Sequence, residues 1–324
     1  MEDWNNIKNK FKDPEILLGN GFSISFSGQF IYDSIFKIFL NKVPEPFKTY
    51  FSNFKTTNFE QILMQLQNAV IVNDIFGLKT DEMVQSIELI KAGLISSIQE
   101  VHPSYSQIDK GRIQNISEKL KDYGNIYTTN YDILLYHIIM STYDINKRDS
   151  SFIKYQDYFW NKLGDRYLQF MDTQGYKSKD VYYLHGSLFI YHINWQDLKI
   201  KRNYGDPELL NTVAEEISSN NLPLFVAEGD SGDKMSSIRN NRYLSFCFNK
   251  FSISNKPLLI FGHSLSHFDN HIINAIKERE RPLILTLYTN KKTDLDLEKE
   301  KDEFRSKFSG YQSTIVFVDS ATVF

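Results

Sequence analysis

Pro257-Leu258-Leu259-Ile260-Phe261-Gly262-His263-Ser264 decides the fold. An uncharged, apolar run that stops at a glycine is the pattern of a strand buried on both faces and entering a tight turn. The pattern continues downstream. Asp269 opens a helix over Asn270 to Glu280, and Leu283 to Tyr288 is the next strand. Charges alternate from Lys291 to Glu303, as on a solvated helix, and Thr314 to Val318 is a final strand. Strand–helix–strand–helix–strand predicts an α/β chain with a Rossmann-type, doubly wound, mainly parallel sheet. In such sheets ligands sit outside the C-terminal strand ends, so the polar residues just past each strand are the candidates for function.

The same grammar extends upstream. Glu15-Ile16-Leu17-Leu18 runs into Gly19-Asn20-Gly21-Phe22-Ser23, and a helix is expected from about Phe30 to Leu40. Asn58 to Val101 then reads as helical: Phe59, Ile62, Leu63, Leu66 and Val70 share one face, and Ile87 to Ile98 carries a second apolar set. With no strand between them, these helices predict an insertion at about 55–105 after the first strand–helix unit of a single domain, 1–324. Strand signals return at Asn125 to Thr129, followed by Asn130-Tyr131-Asp132 and a helix to about Met140. Asp144 to Asp180 is polar and aromatic with little periodicity. Val181 to Leu184 is a short strand stopping at His185-Gly186-Ser187, and Leu222 to Val226 is another, ending near Glu228-Gly229-Asp230. One helix is expected from about Lys234 to Asn249. The stretch between is a surface loop or a lid over a site, with Ser231, Gly232 and Asp233 suited to movement.

Composition narrows the classes. A net charge of -3 carries no nucleic-acid footprint. One cysteine, Cys247, excludes an internal disulfide and a zinc site built from several cysteines, and its apolar surroundings predict a core thiol. Residues Met1 to Lys10 lack the apolar stretch of a signal peptide, and no run approaches the roughly 18 apolar residues of a membrane span. Cytoplasmic residence without membrane contact is the expectation.

Four polar clusters stand at strand ends: Gly19–Ser23, Thr128–Asp132, His185–Ser187 and Gly262–Asp269. Each has two readings. The glycines form a simple turn, or let the backbone approach a phosphate that helix N-terminal amides then bind. Thr129 to Asp132 is an Asx-type turn capping a helix, or part of a binding loop. The three-glycine dinucleotide fingerprint is absent, which disfavours a nicotinamide dehydrogenase. His263, His267 and His271 recur at four-residue spacing like a metal comb, yet only His267 and His271 fall on or near one helix, so no metal site is expected and His263 is placed against the ligand. His102, His137 and His192 have no local pattern and are read as structural.

Taken together, the order G-N-G-F-S, T-N-Y-D, L-H-G-S and F-G-H-S, all at strand ends, resembles the sirtuin-like superfamily, most closely the sirtuin-like domains of bacterial anti-phage defence. The resemblance spans Gly19 to Asp269. It implies an NAD glycohydrolase, with NAD as substrate and no metal. By that resemblance Gly19, Asn20, Gly21, Phe22 and Ser23 hold the diphosphate and ribose. Asn130 orients the nicotinamide ribose or an attacking water, beside Thr129, and Asp132 holds the nicotinamide amide or orders the loop. His185 is the base acting on a ribose hydroxyl, with a pKa near neutrality, and Gly262, His263, Ser264 and Asp269 contact the adenosine half. Two departures stand out: the four-cysteine zinc ribbon of the deacylases is missing, and Gly28-Gln29-Phe30 replaces the stretch beyond their glycines. Both point away from deacylation and toward simple hydrolysis. A non-catalytic NAD or ADP-ribose sensor, an assembly subunit, and a deacylase or ADP-ribosyltransferase remain as alternatives. An abortive-infection effector must be silent until triggered, so the resemblance also implies a homo-oligomer or a separate activating partner, such as a defence-system ATPase or a phage component.

Overall fold

The computed structural model describes residues 1–26, 35–54, 56, 59–102, 108–145, 154–173, 178–202, 209–226, 231–290 and 292–324. Its strands, in chain order, are β1 (Glu15–Leu18), β2 (Ile126–Thr128), β3 (Tyr155–Gln156), β4 (Phe159–Leu163), β5 (Tyr167–Phe170), β6 (Lys179–Tyr183), β7 (Gly186–Ile193), β8 (Gln196–Ile200), β9 (Pro223–Phe225), β10 (Leu258–Phe261), β11 (Leu283–Leu287) and β12 (Ile315–Asp319). Seven of them form one sheet in the order β12-β11-β10-β1-β2-β6-β3, and every neighbouring pair is parallel. β1 and β10 are buried at all four positions, which is why their sequences are apolar without alternation. The chain is thus α/β with an all-parallel sheet flanked by helices, consistent with a Rossmann-like fold.

The helices are α1 (Trp4–Ile7), α2 (Asn20–Phe26), α3 (Ile35–Lys42), α4 (Glu45–Asn53), α5 (Phe59–Ile75), α6 (Asp81–Val101), α7 (Lys110–Leu120), α8 (Leu134–Ile145), α9 (Leu209–Ser218), α10 (Ser231–Asn240), α11 (Arg242–Ile253), α12 (Asn270–Arg279) and α13 (Asp294–Lys307). Between β1 and β2 the described residues form helices and no strand. The rings of Phe39, Phe51 and Phe59 meet with centroids 4.8–5.6 Å apart and tie α3, α4 and α5 together. α6 buries Ile87, Ile90, Leu94, Ile98 and Val101, a stripe at helical spacing. The helical region therefore extends beyond the expected 55–105 on both sides. The expected helix from Phe30 is described only from Ile35, and Gly28-Gln29-Phe30 lies outside the described residues.

Two expectations need correction. The stretch Asp144–Asp180, read as having little periodicity, contains β3, β4 and β5 and the first two residues of β6. Two of them, β4 and β5, join β7, β8 and β9 in a second, antiparallel sheet of order β4-β5-β8-β7-β9. Tight turns build it. Asn194 and Trp195 both take positive φ between β7 and β8, the backbone that a two-residue hairpin needs and that a sequence scan expects of Asn-Gly rather than Asn-Trp. β7 is buried over its first six residues, so alternation is missing there as well. The single helix expected from Lys234 to Asn249 is two, α10 and α11. Asn241 stands between them in an extended conformation and accepts a hydrogen bond from the Leu244 amide, while its Nδ2 donates to Asp197. An Asn that caps from within an apparently continuous pattern breaks the helix.

Below the sheet, at the N-terminal strand ends, Glu15 and Arg281 pair at 3.0 Å with both side chains withdrawn from water. Ser254 and Asn125 also donate to this carboxylate, and Arg281 lies over the Phe251 ring. This pair anchors the far end of the sheet and leaves the C-terminal ends to function. No helix among the described residues is long and apolar enough to cross a membrane.

Candidate functional site

Strand register assembles the site. Leu18 pairs with Phe261 on one side and Thr128 on the other, and Thr128 pairs with Tyr183. The ladder runs one residue further: the Gly19 amide donates to Phe261, Thr129 to Leu18, and Leu184 to Thr128, at 2.8–3.1 Å. The loops that start at Gly19, Thr129, His185 and Gly262 therefore leave one edge of the sheet side by side. The chain builds outward from β1 to β2 and later returns to the other side of β1 with β10. Strand order reverses between them, where parallel α/β sheets open a crevice for ligands.

The first two loops are locked together. Asn130 Nδ2 donates to the Gly19 carbonyl and to Ser23 Oγ, both at 3.0 Å. The Ser23 hydroxyl in turn donates to Asp132 Oδ2 at 2.5 Å, and Asp132 Oδ1 accepts from the Leu134 amide at 2.8 Å. Asp132 is thus a cap for α8 and a tether for α2 at once. All three side chains are buried, so the network is held with little freedom. The glycines serve close packing. A Cβ on Gly19 would lie 2.6 Å from His263 Cα, and one on Gly21 would lie 2.7 Å from Gly262 Cα. Gly262 itself has a φ of 65°, and its carbonyl accepts from the Gly21 amide at 2.7 Å. The Phe22 ring sits in the core against Phe261 and Phe324, so a ligand can meet this residue only through its backbone. Asn20 and Ser264 are exposed at the rim, and Lys307 donates to the Ser264 carbonyl.

Beside this network lies a cluster of three histidines, an aspartate and a lysine. His185, just past β6, places its Nε2 2.9 Å from Nε2 of His271 on α12. Ser231, the first residue of α10, accepts from the His271 amide at 2.8 Å and lies 3.2 Å from His271 Nδ1. Asp269 pairs with Lys234 at 2.8 Å, and its other oxygen is 3.9 Å from His263 Nε2. His263 Nδ1 accepts from the Leu265 amide, so a neutral His263 carries its proton on Nε2, facing Asp269. The expectation of a near-neutral pKa at His185 is corrected. Burial, and next the charge that His271 can carry, hold it well below the ordinary value. Burial likewise lowers His263, and lowers His271 to about 4. Asp269 is raised by burial, but His263, His185 and Lys234 outweigh that and hold it low. The cluster is therefore two neutral imidazoles in contact, beside an ion pair.

Comparison with known proteins adds one family. The profile described as "Domain of unknown function (DUF4917)" matches residues 16–321. The chain belongs to that family. No curated protein matches the chain. The match begins at the second residue of β1 and ends after β12, so the DUF4917 unit takes in both sheets and every residue of the site.

Most sequence candidates in this DUF4917 chain converge on one strand edge, but sequence reasoning misses three participants. Four-residue spacing sets His271 in a comb with His263 and His267. Instead His267 is exposed, and His271 turns inward to His185. Ser231 and Lys234 read in sequence as parts of a polar loop and helix start. A signal for Lys234 exists: it lies four residues before Ile238 on α10, and both are buried. Of the lid candidate, 227–230 lie outside the described residues, and Ser231, Gly232 and Asp233, expected to move, are corrected: they form the first turn of α10.

Proposed function

We propose that this chain is a sirtuin-like NAD glycohydrolase that cleaves NAD to nicotinamide and ADP-ribose and acts as a bacterial anti-phage, abortive-infection effector. The observation that carries this reading is the side-by-side registration of the Gly19, Thr129, His185 and Gly262 loops at the point where strand order reverses. A dinucleotide laid there brings its diphosphate against the Gly19–Ser23 loop, where the Gly21 and Phe22 amides, which now donate to the Gly262 and Gly19 carbonyls, must turn to meet it. Breaking the N-glycosidic bond builds positive charge on the ribose, as in glycoside hydrolysis. Asn130 positions the ribose or water without titrating, and neutral His185 takes a hydroxyl proton through Nε2. Positioned proton transfer of this kind is worth roughly 10²–10⁴-fold.

A second reading, an NAD or ADP-ribose sensor, is favoured by one observation. Asn130 Nδ2 is spent on Gly19 and Ser23, and His185 Nε2 faces His271 rather than open space. On the hydrolase reading the same contacts describe a resting enzyme whose base is engaged until a trigger, partner or self-association releases it. NAD consumption by the purified chain, alone and with candidate triggers, decides between them. The hydrolase reading expects nicotinamide and ADP-ribose from wild type and none from folded Asn130→Ala or His185→Ala. Binding without turnover under every trigger supports the sensor, and neither binding nor turnover removes both.

A further inference from the structure

We propose that His185, Asp269 and His271 form a binding site for one divalent transition-metal ion of the zinc, cobalt and nickel group. One ligand atom from each of the three residues lies within 4.8 Å of the others. The two imidazoles already present Nε2 to Nε2 at 2.9 Å. A tetrahedral ion bound at about 2.1 Å from each nitrogen sets them about 3.4 Å apart. The rings need open by only about half an ångström, and the carboxylate must close by no more than about 1.4 Å, which a side-chain rotation supplies.

Donor chemistry selects the ion. Two neutral imidazole nitrogens and one carboxylate oxygen suit borderline metals, whereas magnesium and calcium demand oxygen-rich shells. Three protein donors leave a coordination position for water or a ligand.

The outer contacts fit the same role. Ser231 Oγ lies 3.2 Å from His271 Nδ1 and can take its proton, which turns the Nε2 lone pair toward the ion. Lys234 holds Asp269 Oδ1 at 2.8 Å, and Oδ2, which lies 3.9 Å from His263 Nε2, is the oxygen that would turn to the metal. Its ammonium opposes a second cation, so Lys234 weakens the site while it orients the carboxylate. This inference stands apart from the nucleotide reading, because the ion needs no nucleotide to bind. If both hold, they compete: a metal on His185 Nε2 keeps that nitrogen from a ribose hydroxyl.

The test is titration of the full chain, stripped with chelator and free of nucleotide, with Co²⁺ followed by visible absorption and with Zn²⁺ followed by calorimetry. One ion per chain is expected, with the visible bands of low-coordinate cobalt. His271→Ala and Asp269→Asn should each weaken binding by at least about tenfold while keeping the wild-type circular dichroism. Lys234→Met should tighten it, and His267→Ala, on an exposed neighbour outside the site, should leave it unchanged. Absence of binding to wild type, or binding indifferent to His271→Ala, overturns the proposal.

Discussion

His185 and His271 face each other nitrogen to nitrogen at 2.9 Å, although 86 residues separate them in the chain. Only one of the two Nε2 atoms can donate in this contact. With no metal bound, the Ser231 hydroxyl can accept from the His271 amide and give its own proton to His271 Nδ1, the opposite tautomer to the one a metal selects, and the neutral His271 proton then sits on Nε2 and points at His185. The lone pair assigned to base catalysis is then occupied by a neighbouring ring. In the hydrolase reading His271 is a brake, and His271→Ala should raise the basal rate of nicotinamide release by about tenfold, a scale set by the cost of one hydrogen bond. A fall in rate instead would show that His271 positions the base, and the brake would be abandoned.

Acid should unfold the chain through these same rings. His271 titrates at about 4 in the folded chain against an ordinary 6.5, and burial also depresses His185 and His263. Between pH 6.5 and about 4 the unfolded chain binds protons that the folded chain refuses, so stability present above 6.5 is lost progressively as pH falls through that window. The thermal midpoint should drop across it, and less steeply in His271→Phe. Because His185 stays neutral well below its ordinary value, the acid limb of any NAD cleavage should lie below pH 6.5. A limb at or above 6.5 would exclude His185 as the base.

The first glycine loop answers to packing before it answers to a ligand. A methyl group on Gly21 would meet the Gly262 backbone at 2.7 Å, and neither backbone can yield without disturbing the Asn130–Ser23–Asp132 network. Gly21→Ala should therefore cost about 1–3 kcal/mol in chemical denaturation and abolish NAD binding in the chain that still folds. Unchanged stability would show that the loops are not packed together in solution.

Burial and register decide how much of this molecule is legible in its sequence. β1 and β10 are legible because burial on both faces makes them uninterrupted apolar runs closed by glycine. Gly19, Asn130, His185 and Gly262 are legible as neighbours because parallel register aligns the loops leaving each strand. Of the second sheet only β9 is legible, within the expected Leu222–Val226 strand. In the rest, β7 lacks alternation over its buried first six residues, and the β7–β8 turn uses Asn194-Trp195, which carries no glycine. His271 is hidden for another reason. Its partner lies on a different strand end, and four-residue spacing draws it toward His267, which the α12 entry turns outward. Local periodicity cannot encode a contact made by tertiary packing.

The expected self-association has a candidate surface on the α5–α6 hairpin. The α5–α6 hairpin buries Phe59, Ile62, Leu63 and Leu66 toward the core but carries Ile71, Val72, Ile75, Phe76 and Leu78 exposed at its far end. Ile75 and Phe76 are the most exposed of these, at 75% and 74%. Large side chains clustered in water are uncommon on a monomer and mark an association surface. A second copy of the chain is the partner that needs no further component, and it matches the expectation that an effector of this kind is controlled by self-association. Native mass measurement should find an oligomer for wild type and a folded monomer for Ile75→Asp combined with Phe76→Asp. Both side chains stand mostly in water, so their replacement should leave the circular dichroism unchanged. If wild type is itself monomeric at micromolar concentration, the hairpin is not a self-association surface, and release of His185 from His271 must come from a separate partner.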